Sequence, residues 1–147
     1  MANPNAFALN RAGQIQSLAD ELTGATIKVR LYTGTALGVT SVVANLTTNE
    51  VSGNGYPTGG YTTTLNTVAY DATDDRVEAA LNAASILPSG GNIVFRQAVV
   101  TVNNGTEYIK GIFTWAADET ANDGITYQLL VKLNTGAQGA TVNIVDN

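Results

Sequence analysis

Cysteine and histidine are both absent from this 147-residue chain. Without Cys there is no disulfide, no thiolate nucleophile and no thiolate metal site. Without His the commonest general base and the commonest transition-metal ligand are missing, and a serine nucleophile would lack its usual partner. Charge is scarce as well: Asp, Glu, Lys and Arg make up 13% of the residues, roughly half the usual share. The basic residues Arg11, Lys28, Arg30, Arg76, Arg96, Lys110 and Lys132 are scattered, and the formal net charge is −5. No cluster is there to track a phosphate backbone, so nucleic acid is not an expected partner. No apolar run approaches the roughly 20 residues of a membrane-spanning helix, and no lipid-anchor signal appears, so no membrane partner is expected. Met1-Ala2-Asn3-Pro4-Asn5 is neither basic nor followed by an apolar core. Synthesis and folding in a cytoplasm, without a signal peptide, is the expectation.

What is present points to a globular β protein. Hydrophobic residues reach 44%, and the length suits one domain. The polar surface must come largely from Thr and Asn, which repel copies of the chain less than a heavily charged surface would. Residues 92–116 form the organising stretch. Asn104-Gly105 is the strongest short hairpin signal, because a tight primed turn needs positive φ. The arms on either side are rich in β-branched and aromatic residues. The outgoing arm, residues 92–102, is apolar on both faces, as a strand covered on each side would be. On the return arm simple alternation puts Ile109, Gly111, Phe113 and Trp115 on one face, and Tyr108, Lys110, Ile112 and Thr114 on the other.

Residues 5–22 read as the one clear helix, with Ala8, Ile15, Leu18, Ala19 and Leu22 as its apolar stripe and Gly24 as a left-handed C-cap. Residues 27–33 alternate with Ile27, Val29 and Leu31 inward. Residues 41–45 suggest a short strand, 47–60 a turn-rich loop and 61–70 another strand. Residues 71–88 are ambiguous. Val77, Ala80, Leu81 and Ala84 fit a helix N-capped by Thr73, while Val77, Ala79 and Leu81, then 85–87, fit strands. Strands are the reading taken, against intrinsic propensity. Residues 117–124 look like a polar connection. Residues 125–133 read as a strand with Ile125, Tyr127, Leu129, Val131 and Leu133 on one face. Asn134-Thr135-Gly136 turns the chain, and 141–145 closes it. The predicted architecture is all-β: an antiparallel β-sandwich or jelly-roll-like barrel (25–147) with one N-terminal α-helix in an arm spanning 1–24.

Motifs for chemistry are few. Asp71, Thr73 and Asp75, with Asp74 and Glu78, resemble the start of a calcium loop. Arg76 stands where that loop needs Gly, and Asn82 where it needs Glu. Asp118, Glu119 and Asp123 fail the same test, since Asp123 falls at the Gly position. Glycoside hydrolysis needs two acids across a cleft, and neither cluster displays that in sequence. Residues 52–55 and 89–92 are glycine-rich but lack the phosphate-loop spacing and its lysine. Asn45-Leu46-Thr47 and Asn104-Gly105-Thr106 match the glycosylation sequon by accident if the chain is not secreted. Tyr32, Tyr56, Tyr61 and Tyr70 are candidates for half-buried packing or for stacking on a sugar or a partner. No catalytic residue, metal ligand or cofactor is assigned, and an enzyme is not expected.

Ile27-Lys28-Val29-Arg30-Leu31-Tyr32-Thr33-Gly34 followed by Asn49-Glu50-Val51-Ser52-Gly53-Asn54-Gly55-Tyr56 resembles small virion structural proteins of tailed bacteriophages. The later strand Ile93-Val94-Phe95-Arg96-Gln97-Ala98-Val99-Val100 is similar too. The basic-aromatic residue often found after the Gly-Tyr is absent here, since Pro57-Thr58 follows Tyr56. The resemblance implies a decoration (cement) protein of the capsid, located in the virion and bound to the major capsid protein as a homo-oligomer, with a trimer as first expectation. A tail or fibre component that binds host glycans is the alternative. On this reading the contact candidates are Phe7, Arg11 and Ile15 in the arm, and Glu50, Tyr56 and Tyr61 in and after the 47–60 loop.

Overall fold

The computed structural model describes residues 10–134 and 140–146. Two antiparallel sheets face each other as a β-sandwich and do not join into a closed barrel. The first sheet runs β2 (Tyr61–Thr63), β1 (Thr26–Tyr32), β6 (Ile93–Asn103), β7 (Glu107–Ala121). The second contains β3 (Leu65–Asp71), β4 (Arg76–Leu81), β5 (Ala84–Ile86), β8 (Tyr127–Asn134) and β9 (Ala140–Asp146). β9 pairs with one edge of β8, and β4 and β5 follow each other along the opposite edge. From Ala80↔Lys132 to Ala84↔Leu129, four residues on β4–β5 answer three on β8. They therefore behave as one bulged strand. The 71–88 region is strand, as predicted: Val77, Ala79 and Leu81 are buried at period two. The cross-sheet demand for buried alternation overrides the helix propensity of Glu78 and the alanines.

The single strand expected over 61–70 divides at Thr64, where the chain crosses from one sheet to the other. Asn82 pins this corner. Its backbone N donates to Thr64 O (2.9 Å), its side-chain amide to Thr64 Oγ1 (2.8 Å), and its carbonyl accepts from Thr63 Oγ1 (2.5 Å).

The inner faces of both sheets bury Ile27, Val29 and Leu31 of β1, Phe95, Ala98, Val100 and Val102 of β6, and Leu129, Val131 and Leu133 of β8. The outer face of β6 is covered too. Val99 packs with Tyr32 and Leu46 under residues 33–47, in a small second core. A strand apolar on both faces is thereby satisfied on both.

Two bulges in β7 break the alternation expected for it. Val100 lies opposite Gly111, but Thr101 lies opposite Ile109. The extra residue, Lys110, moves Ile109 to the outer cluster beside Ile112 and turns Tyr108 toward the main core. Further on, Phe95 pairs with Glu119 but Gln97 with Thr114, so two residues on β6 answer five on β7. Arg96 fills the gap: its Nε donates to Trp115 O and its Nη2 to Ala116 O, both at 2.7 Å. The guanidinium thus satisfies carbonyls that the ladder leaves unpaired.

Three further expectations are corrected. Residues 117–121 continue β7 instead of forming a connection, since Asp118, Glu119 and Thr120 are polar residues that an edge strand carries without penalty. Residues 41–45 form no strand. The chain turns into a short 3-10 helix, Val43–Thr47, because Asn45 Oδ1 accepts from Val42 N (2.7 Å) and competes with ladder bonding. Ile125 lies outside β8 and is exposed.

The helix α1 (Arg11–Leu22) starts at Asn10, whose Oδ1 accepts from Gly13 N (3.2 Å). Gly24 follows its end at φ +76°, the left-handed value expected. The predicted helical residues 5–9 and the turn at Thr135-Gly136 lie outside the described residues. α1 rests against β3 and β4, and Leu18 and Leu22 enter the main core. The described part of the arm is therefore continuous with the sandwich interior.

Candidate contact surfaces

The loop that carries the recognisable motif is built inward. Val51 N donates to Leu31 O and Thr33 N to Asn49 O, both at 2.9 Å, so residues 49–51 run beside the end of β1. Tyr56 is buried. Its hydroxyl donates to Glu50 Oε1 (2.9 Å) and accepts from Leu31 N (3.0 Å), while Gly59 N donates to the same carboxylate oxygen (3.0 Å). Burial, with Glu50 beside it, pushes the Tyr56 hydroxyl far above its ordinary pKa despite the Leu31 N–H. Burial likewise raises Tyr32 to about 12, helped by Glu50. The Tyr61 ring meets Tyr56 edge to face at 5.5 Å, and burial raises its hydroxyl to about 12. The two glycine-rich turns prove to interlock: Ser89 N donates to Asn54 O (2.9 Å) and Asn54 Nδ2 to Asn92 O (2.8 Å). Glu50 and Tyr56 were candidates for contact with a partner. The structure commits their polar atoms to the loop itself, and Tyr61 is only partly exposed. Tyr56→Phe leaves Leu31 N–H and the Glu50 carboxylate short of a partner. It should cost about 1–3 kcal/mol in urea unfolding.

Of the arm candidates, Phe7 lies outside the described residues, and Ile15 is partly buried against the main core. Arg11 is accessible. It pairs with Asp75 at 2.8 Å, donates to the Asp75 carbonyl (3.1 Å) and lies 5.4 Å over the Tyr70 ring. Tyr70 donates its hydroxyl to Asp75 Oδ1 (2.6 Å), and this bond together with Arg11 holds the Asp75 carboxyl below its ordinary pKa.

A second clasp ties α1 to β7. Glu21 accepts from the Tyr108 hydroxyl and from Lys110 Nζ (2.9 Å). Burial alone would raise the Glu21 pKa, but the Tyr108 and Lys110 hydrogen bonds and the Lys110 charge outweigh it and hold the group below its ordinary value of 4.5. A carboxylate depressed in the folded state contributes stability above its unfolded pKa and loses it as pH falls through the folded one. Urea midpoints should therefore fall between neutral pH and about pH 3, and Glu21→Gln should shrink that fall. An equal fall in the variant would remove the clasp as a source of acid sensitivity.

Among the described residues, one trio of metal-capable groups converges: oxygen atoms of Asp71, Asp74 and Glu78 lie within 4.8 Å of one another. Arg76 already pairs with two of them, at 3.5 Å to Asp74 and 3.2 Å to Glu78. Asp71 Oδ1 accepts from Thr73 N (2.9 Å) as the cap of a turn. The Glu78 side chain and the Thr73 N–H keep Asp71 below its ordinary pKa, the opposite of what a glycosidic proton donor needs. Asp75, grouped with these acids in sequence, faces Arg11 instead. The second acidic group is dispersed. Asp118 lies 3.7 Å from Arg96 on the β7 bulge, Asp123 Oδ1 accepts from Gly90 N (3.1 Å), and Glu119 is exposed on β7.

Among the described residues, the most exposed large apolar side chains belong to a stretch outside the candidate contact residues. Val39 is 100% exposed and Val42 59%, in the loop between β1 and the 3-10 helix. The signal that marks it in sequence is the absence of any charged residue from 33 to 48. No helix of the described residues is long and apolar enough to cross a membrane. Comparisons with protein-family models, curated proteins and solved structures found no match.

Proposed function

We propose that this chain is a structural protein of a tailed-phage virion, a decoration (cement) protein that binds the major capsid protein and stabilises the capsid shell. What supports this reading is the likeness of residues 27–34 and 49–56 to phage virion proteins, in a β-sandwich with a thinly charged surface. Glu50, Tyr56 and Asn54 of that stretch hold the loop to β1 and to residues 89–92, so the contact surface lies elsewhere on the chain. The thinly charged Thr/Asn surface supports the same reading, since contact between copies and with a shell meets little repulsion. The mechanism is burial of surface across several shell subunits, which favours the assembled state by mass action. A homotrimer would suit local three-fold positions of a shell.

A tail component that binds host glycans would favour tyrosines gathered on an exposed face. Of the six tyrosines only Tyr70 is exposed, and its hydroxyl is bonded to Asp75. The capsid reading is therefore preferred. It is tested by sedimenting the protein alone and with empty expanded capsids. Saturable co-sedimentation is the expected result; binding to host envelopes in place of capsids would transfer the protein to the tail. Deleting the whole arm is a poor variant for this test, because it removes Leu18 and Leu22 from the core.

A further inference from the structure

We propose that β9 is a docking edge, which pairs antiparallel with β9 of a second copy about a two-fold axis at Asn143. The pairing joins the two five-stranded sheets into one.

Among the described residues, β2, β3, β5, β7 and β9 each have an edge that no other strand covers. Such an edge offers unpaired N–H and C=O groups to any extended chain, and proteins blunt it with short strands, charges or bulges. β2 and β5 are three residues long. β3 has a register shift after Leu65, and α1 packs against it. β7 has two bulges and carries Lys110, Asp118 and Glu119. β9 has none of these devices. It is seven residues long, and its register with β8 runs unbroken from Tyr127↔Asp146 to Leu133↔Ala140. No charged residue and no proline occurs from 133 to 145. Asn143 and Val145 are exposed on its outer face, and Leu130, opposite Asn143 on β8, is exposed beside them.

A second copy fits this edge because the strand is complementary to itself. In the register centred on Asn143, Thr141 faces Val145 and Val142 faces Ile144, while the two Asn143 amides meet on the axis, where each can donate to the other. Val142 is buried in the main core and Ile144 packs against it, so apolar meets apolar on the inner face. Asp146 is the one charged residue of β9, and it falls opposite Ala140. The two carboxylates therefore lie at opposite ends of the ladder, about 20 Å apart. A slip of two residues would bring Val142 opposite Asp146, and a slip of one would set inward side chains against outward ones. The contact is isologous and closes at two copies, so it doubles the unit it acts on and does not run on into a fibre.

The absence of cysteine makes the register testable. Asn143→Cys places two thiols across the axis at a Cα separation of about 4.5–5.5 Å, which a disulfide spans. On oxidation it should crosslink to itself at least tenfold faster than Thr141→Cys or Val145→Cys alone, whereas those two proteins mixed should crosslink to each other. Asn143→Lys sets two cations on the axis. Sedimentation at millimolar concentration should give the unmodified chain twice the mass of this variant: two copies against one, or six against three if another surface closes a three-fold ring. Both should melt at the same temperature when dilute, because residue 143 is exposed. Equal masses overturn the proposal and leave the edge to a strand of another protein; crosslinks indifferent to register overturn it too. So does exchange protection, independent of concentration, of the β9 amides that face away from β8, since a segment of the same chain would then cover the edge. Capsid binding is scored separately. Doubled mass without capsid binding removes the virion reading and leaves this contact standing, whereas capsid binding with equal masses does the reverse.

Discussion

Phe95→Ala should lower the stability of the folded chain by about 3–5 kcal/mol, the range for truncating a buried aromatic ring. Phe95 is almost wholly buried in the main core. It packs edge to face on Trp115 at 5.2 Å between ring centres, and Trp115 stacks in the same manner on Phe113 at 5.0 Å. Trp115 begins the wide bulge of β7, and Arg96, next to Phe95 in sequence, bonds the bulge carbonyls. Truncation therefore opens a cavity and loosens the support of the bulge together. Since domains of this size are stable by roughly 5–15 kcal/mol, such a loss should shift the urea midpoint strongly. A loss below about 1 kcal/mol would mean that this aromatic group does not hold the sheet, contrary to its burial.

Gly60→Ala should cost at least about 3 kcal/mol, and Gly59→Ala only about 1 kcal/mol. Both glycines have left-handed φ, +95° and +91°. Their surroundings differ. A Cβ on Gly60 would lie 2.5 Å from Val29 O and 2.9 Å from Val29 C, and β1 is a central strand that cannot yield. A Cβ on Gly59 would meet only Lys28 Nζ, at 3.7 Å. Gly60 permits the close approach that brings the 49–60 loop onto β1, so its substitution should also free Tyr56. The pair of unfolding curves separates backbone strain, common to both variants, from steric exclusion, specific to one. Equal losses would refute the role of close packing at Gly60.

The sandwich class was legible because strand alternation is a local property. Ile27, Val29 and Leu31 repeat at period two, and a residue so placed points to one side whatever its partner. The hairpin at Asn104-Gly105 was legible for the same reason, but its turn differs from the tight primed one expected: Asn103 pairs with Glu107 across three residues, and Gly105 (φ +128°) has positive φ while Asn104 does not. The capped helix before Gly24 is equally local.

The contact candidates were less legible, since a tyrosine in a glycine-rich loop looks the same in sequence whether it faces solvent or a buried amide. Tyr56 turns inward because Leu31 N–H and Glu50 meet its hydroxyl, and Leu31 is 25 residues away. The phase changes in β7 were hidden as well. A bulge leaves no mark in the strand that carries it; it is set by the register against β6 and, here, by the reach of Arg96.

The all-β class, the central hairpin, the N-terminal helix and the lack of cysteine and histidine chemistry follow from composition and local pattern. The change of sheets at Thr64, the side of β7 that each residue serves, and the cover that residues 33–47 give the first sheet while exposing Val39 emerge only in the folded chain. The physical reason is range. Side-chain direction and turn conformation follow from neighbouring residues, whereas pairing register and the burial of a polar group depend on partners that only the folded chain brings near.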